Sequence, residues 1–131
     1  MTPMMDPDTP SDSQRPRLQA EWSAWRAPTE YEGEPTHYAA LIEKRQRVVP
    51  SEMPVTGVIG NWTLRKDVAD TVAVISGQCL TDNAGRGFEN GPIRTSLIVK
   101  IEDGFAVTLN SVYRLLSDDD TALVMAGGMK L

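Results

Sequence analysis

The sequence predicts an α+β protein with a disordered N-terminal tail, one or two short helices, and a small antiparallel β barrel or rolled sheet. Seven of the nine prolines (Pro3, Pro7, Pro10, Pro16, Pro28, Pro35 and Pro50) fall in the first fifty residues, which keeps that part out of a continuous sheet. Between those prolines, apolar residues recur at helical spacing. From Val55 onward the chain changes to short runs rich in Val, Ile, Thr and aromatics, separated by glycine or acid-rich turns, the pattern of an antiparallel β domain. With 131 residues, 40% hydrophobic and 24% charged, the chain has material for one core. The expected organisation is a tail over 1–13, a proline-rich helical segment over 14–54 and a β domain over 55–131.

The tail combines proline, acid and hydroxyl groups with Met1, Met4 and Met5 as its only large apolar side chains. These are too few to offset the entropy of ordering it. Ser13 then caps a helix that starts at Gln14 or Arg15, carries Pro16 in its first turn and ends before Pro28. Leu18, Trp22 and Trp25 stand at i, i+4 and i+7, so they form one stripe. Two readings of the stripe stay open: it packs on the protein's own sheet, or it is a partner-binding face, since tryptophan is enriched among interface hot spots. A second helix runs from about Thr36, as N-cap, to Arg47, with Tyr38, Leu41 and Ile42 on one face. Lys44, Arg45 and Arg47 lie in its last turn, where cations complement the helix dipole. His37, at its start, has no second His or Cys nearby in sequence and reads as exposed.

The expected strands are Val55 to Leu64, Thr71 to Leu80, Ile93 to Ile101, Phe105 to Leu109, Val112 to Leu116 and Ala122 to Met125, enough to close on themselves. The hairpin around Glu102-Asp103-Gly104 has two registers. A three-residue loop pairs Ile101 with Phe105, Val99 with Val107 and Leu97 with Leu109, and puts Gly104 in the left-handed position of a G1 bulge. A two-residue loop pairs Ile101 with Ala106, a weaker match. The three-residue register is expected, with Ile93, Leu97, Val99, Ile101, Val107 and Leu109 in the core.

Several function classes are disfavoured. No run reaches the ~20 apolar residues of a bilayer crossing, and the start, with Asp6, Asp8 and Asp12, lacks the basic and apolar parts of a secretory signal. A cytoplasmic protein without membrane contact is expected. Cys79 and His37 are the sole residues of their types, so neither a disulfide framework nor a closed zinc site is expected, and no metal or cofactor. Thirteen Lys and Arg against eighteen Asp and Glu leave a net charge of −5, the wrong sign for binding that rests on phosphate neutralisation.

Chemistry-bearing motifs are sparse. The segment from Thr81 to Gly91 is glycine-rich but has no Lys-Ser or Lys-Thr after its glycines, so it is no phosphate loop. It reads as a flexible connection or as a partner-binding loop carrying Arg86 and Phe88. A nucleophile needs a base, and His37 is far in sequence from Cys79, Ser96 and Ser111. Cys79 reads as a buried small hydrophobe. Asp118, Asp119 and Asp120 are consecutive and read as a solvated turn before the last strand, or as an acidic patch for a partner.

Residues 77–116 resemble a segment of small uncharacterised proteins of proteobacteria and their phages. Its marks here are Gly77, Asn90-Gly91, Ile93-Arg94-Thr95-Ser96-Leu97-Ile98, Gly104, Val107-Thr108 and Ser111-Val112-Tyr113-Arg114-Leu115. The pattern often has glycine before the final serine; this chain has Asn110, the residue next best able to take a positive φ. These are turn and strand residues, so the resemblance implies fold more than activity. It also implies kinship with mobile-element proteins, among which inhibitors of host defence are common. The expected function is a non-enzymatic, phage- or mobile-element-encoded module that binds a bacterial protein or complex, in its most specific form an anti-CRISPR inhibitor presenting acidic side chains in place of nucleic acid. A homodimer is compatible with this. A small β-barrel ligand-binding protein or enzyme subunit is the alternative.

Overall fold

The computed structural model describes residues 25–131. The expected tail and most of the expected first helix, with Leu18 and Trp22, lie outside the described residues. The elements in chain order are β1 (Glu30–Tyr31), β2 (Glu34–Pro35), α1 (Ala39–Gln46), a 3-10 turn (Pro50–Glu52), β3 (Gly57–Lys66), β4 (Ala73–Asp82), β5 (Pro92–Arg94), β6 (Ile98–Glu102), β7 (Phe105–Thr108), β8 (Val112–Leu115) and α2 (Asp118–Met125).

The main sheet has six strands in the order β5-β4-β3-β8-β7-β6. This α+β arrangement corrects the barrel expectation: the sheet is open. It is also mixed, because β3 runs parallel to β8, with Gly57 opposite Tyr113 and Ile59 opposite Leu115. Meanders on either side of that parallel pair leave β5 and β6 at the two edges. The edge at β6 is covered by Trp25 to Ala27: Ile101 N–H donates to Trp25 O and Ala27 N–H to Val99 O, both at 2.9 Å. Trp25 to Ala27, the end of the expected helix, are therefore not helical. Residues 25–27 lie extended, because the edge strand offers their backbone groups partners that a helix end before proline would lack.

One core face gathers Ile59, Leu64, Ile75, Cys79, Ile93, Ile98 and Ile101; the other packs Val99, Val107 and Val112 with Ile42 of α1 and Ala27. Of the expected core residues, Ile93, Val99, Ile101 and Val107 are buried, while Leu97 and Leu109 are half-buried. The expected strand Ile93 to Ile101 is two strands. Thr95 ends the first: its Oγ1 accepts from Ile75 N–H at 2.9 Å and donates to Ser96 O at 2.9 Å, while its own N–H bonds Ile75 O.

The Gly104 hairpin takes the two-residue loop, not the expected three-residue one. Glu102 pairs with Phe105 and Ile101 with Ala106, and a bulge then brings Ile98 opposite Thr108. Asp103 (φ 53°) and Gly104 (φ 80°) both have positive φ, the demand of a type I′ turn, which Asp-Gly meets at little cost and whose twist matches the strands. The bulge offsets the poorer apolar pairing: it lets Ile98 and Ile101 share one core while Val99 enters the other.

Two glycines fix the packing across β3. A Cβ on Gly77 would lie 2.7 Å from Ile59 Cγ2 and 2.9 Å from Gly60 O, and one on Gly60 would lie 2.6 Å from Thr121 Cγ2. The first lets β4 approach the bulge at Asn61 (φ 50°) and Trp62; the second seats α2 on β3. This α2 replaces the strand expected at Ala122 to Met125. Ser117 Oγ accepts from Asp120 N–H at 3.1 Å as N-cap, and Asp118, Asp119 and Asp120 form the first turn, where negative charge complements the helix dipole.

Helix α1 is shorter than expected. Tyr38, not Thr36, is its N-cap and makes no side-chain cap bond; Thr36 instead bonds Pro28 O. Only Ile42 of the expected apolar face is buried, while Tyr38 and Leu41 are exposed. Arg45 in its last turn does more than complement the dipole, donating to Thr108 O and Ser111 O at 3.1 Å each.

Candidate functional site

The segment from Asn83 to Asn90 is exposed throughout, yet one carboxylate fastens it. Asp82, the last residue of β4, has a side chain only 1% exposed. Its Oδ1 accepts from Ala84 N–H at 3.2 Å and Arg86 Nε at 3.1 Å, and its Oδ2 accepts from Arg86 N–H at 2.8 Å and Phe88 N–H at 3.2 Å. Arg86 Nη2 adds a contact to Oδ1 at 3.0 Å. A short polar side chain that gathers amides two to six residues downstream is the Asx-turn principle extended over a whole loop. Gly85 (φ 70°) and Gly87 (φ 76°) supply the left-handed steps between those amides.

Arg86 is the second hub. Its Nη1 donates to Tyr113 Oη at 3.0 Å, and its guanidinium carbon lies 4.8 Å from the Phe88 ring centroid and 5.8 Å from that of Tyr113, within cation–π range. Tyr113 is buried in β8 and Phe88 is exposed, so Arg86 links the core to the tip of the loop. Burial pushes the Asp82 carboxyl up, but the Phe88 amide, the Arg86 guanidinium and the Ala84 and Arg86 amides outweigh it and hold the carboxyl below the usual carboxylate range. The bond to Tyr113, with that to Asp82, keeps Arg86 firmly charged.

The cluster's geometry does not poise Asp82 for proton transfer. Asp82 has both oxygens occupied by donors, and a base needs a free lone pair. Burial, followed by the Asp82 charge, pushes the neighbouring Cys79 thiol up, away from the thiolate that a nucleophile requires. That thiol donates to Thr81 O at 3.3 Å. Among the described residues no group of three His, Cys, Asp or Glu side chains is placed to hold a metal ion, and no helix is long and apolar enough to cross a membrane.

Of the partner-binding candidates from sequence that lie among the described residues, the structure brings Arg86 and Phe88 together in this cluster. Trp25 is half-buried against the core, with Lys66 Nζ 5.5 Å from its ring centroid. Asp118, Asp119 and Asp120 belong to the start of α2, not to a turn before a strand. His37 is exposed, with its ring edge-on to Tyr38 at 4.4 Å. Asn110 is not among the residues with positive φ; Asn61 and Asn90 are. Sequence reading missed Asp82; Tyr113 reads from sequence as a core residue or a binding-surface anchor, and it is buried, but its bond to Arg86 was missed. The signal for Asp82 was present, an aspartate opening a glycine-rich loop; the pairing of Arg86 with Tyr113, 27 residues along the chain, gave none. Compared with known proteins, the chain matches no protein-family model, no curated protein and no solved structure.

Proposed function

We propose that this protein is a non-enzymatic binding module that recognises a bacterial protein or protein complex through residues 83–90, acting as an inhibitor or regulator by covering its partner's surface. The observation that carries the reading is the exposed loop whose backbone is fixed in advance by the buried Asp82 carboxylate. A loop already held in one shape loses little entropy on binding. Phe88, 42% exposed beside the Arg86 guanidinium, offers the aromatic and arginine pair that dominates interface hot spots.

Asp118, Asp119 and Asp120 do not support the nucleic-acid-mimicking, anti-CRISPR form of this reading. Consecutive residues on a helix diverge by about 100°, so these carboxylates make no row at phosphate spacing.

The test is affinity capture from bacterial lysate with the full chain, read by mass spectrometry, alongside Phe88→Ala. A partner captured by the wild type and held about tenfold more weakly by the variant at equal melting temperature supports the reading. A partner retained equally by both defeats it, as does the failure of either to retain one.

A further inference from the structure

At the opposite end of β4 from this loop lies a groove of about 530 Å³. Its apolar walls are Tyr31, Pro35, Tyr38, Ile42, Val72 and Leu97, with Glu34 and His37 as the carboxylate and imidazole of the lining; they come from the β1–β2 hairpin, the start of α1, the turn before β4 and the link between β5 and β6. Three of these large side chains stand open: Tyr31 is 47%, Tyr38 44% and Val72 42% exposed. The volume falls in the range of ligand-binding clefts, about 300–1,000 Å³.

The hairpin and the turn, which build two of these walls, carry mainly acidic side chains. The hairpin contributes Glu34, which lines the groove, and exposed Glu30 and Glu32 beside it; the turn contributes Asp67, whose carboxylate accepts from Thr71 and Val72, and Asp70. Across 30–38 and 66–72 the single Lys or Arg is Lys66, and it is paired with Asp70 at 3.1 Å. An apolar floor beside this acidic hairpin disfavours nucleic acid and anionic lipid surfaces, both of which its carboxylates repel. A second copy docked by a two-fold axis would set these carboxylates against their own kind.

We infer that this groove is a docking site for an extended peptide segment of another protein that carries an apolar or aromatic side chain flanked by lysine or arginine. The apolar side chain enters between Tyr31, Tyr38 and Val72, where burial is favourable, and its flanking cations meet Glu34 and the neighbouring carboxylates of the hairpin. The site stands apart from residues 83–90: β4 has ten residues, so the two lie about 30 Å apart along an extended chain.

The experiment is selection of a phage-displayed random-peptide library on the immobilised full chain, followed by fluorescence anisotropy of the enriched peptides. The expected enrichment is of apolar or aromatic residues bordered by Lys or Arg, with affinity that falls as salt rises from ~50 to ~200 mM. Tyr38→Ser and Val72→Ser should each weaken the enriched peptide about tenfold or more, and Glu32→Lys with Glu34→Lys should flatten the salt dependence. Phe88→Ala should leave peptide binding unchanged, which separates failure of this site from failure of the loop. Enrichment of acidic or uncharged sequences, no enrichment, or binding indifferent to the groove substitutions overturns the inference. So does self-association in sedimentation velocity that Tyr38→Ser abolishes, since the occupant would then be a second copy.

Discussion

Strand β4 has an aspartate organising the chain at each of its ends, and the two carboxylates differ in their access to water. At the groove end, exposed Asp67 accepts from Thr71 N–H (2.7 Å), Thr71 Oγ1 (2.6 Å) and Val72 N–H (3.1 Å). At the other end, Asp82 accepts three amides and two guanidinium nitrogens with its side chain sealed from solvent. Water competes for the first carboxylate and not for the second, so the same device sets a short turn at one end and immobilises a long loop at the other. The surfaces differ accordingly. The loop is held by hydrogen bonds to Asp82, Tyr113 and Val55, whereas the groove keeps apolar side chains exposed.

The comparison breaks most severely if β4 itself is displaced. Gly77→Ala places a methyl group against Ile59 Cγ2 and against the backbone at Gly60 and Trp62. Backbone cannot swing aside as a flexible side chain can, so a loss of about 3 kcal/mol is expected, at the upper end for overpacking. Urea or thermal unfolding checks it. Both ends of the strand should suffer together, with faster amide exchange at Thr71 and Val72 as well as at Arg86 and Phe88.

A smaller, local effect sharpens the comparison. Asp82→Asn keeps the shape of the side chain but loses its charge, so amide exchange should speed at Ala84, Arg86 and Phe88 while Thr71 and Val72 stay as they were. The pH dependence has a definite sign. A carboxyl whose folded pKa is depressed contributes stability that is complete above its unfolded value, about 3.9, and that disappears as pH falls through the lower folded value. The stability gap between wild type and Asp82→Asn should therefore be constant near neutrality and close below about pH 4. Asp67 is also held below the usual carboxylate range, chiefly by the Thr71 hydroxyl, so the variant should keep part of the acid slope. A gap that persists at low pH would mean that Asp82 acts through shape rather than charge.

How far the sequence reveals these features depends on whether their causes are local. β3, β4, β7 and β8 were legible within two residues at each end, because alternating or continuous Val, Ile and Thr runs leave few alternatives. The break at Thr95 was not: Ile93 to Ile101 contains no Gly or Pro, and the strand ends because a threonine hydroxyl takes over a backbone bond from Ile75. At Gly104 apolar pairing and turn chemistry conflicted, and the turn prevailed because a bulge could repair the pairing. Ala122 to Met125 is an apolar run too short to separate strand from helix by period; Ser117 with three acids behind it was the better signal, since a cap and its dipole complement act over one turn. The loop's residues were legible as Arg86 and Phe88, and the Asp82 that fastens them was readable as an aspartate before a glycine-rich run, but their tie to Tyr113 was not, because Tyr113 comes from another strand. The groove left no trace, since its walls come from four separate stretches of chain.

The smallest effect belongs to the groove. Val72→Ser removes a side chain that is 42% exposed and whose backbone N–H remains available to Asp67. Little buried area is lost, no donor is orphaned, and serine suits the turn that precedes β4. The expected change in unfolding free energy lies within about 0.5 kcal/mol, the scatter of ordinary surface substitutions, measured by chemical denaturation beside the wild type. A clearly larger loss would show that Val72 already packs against a wall of the protein, leaving the groove less open to a partner than the loop at the far end of the strand. A negligible one, combined with weakened peptide binding, would place the value of Val72 in recognition alone, the converse of Asp82, whose removal should disturb the loop before any partner arrives.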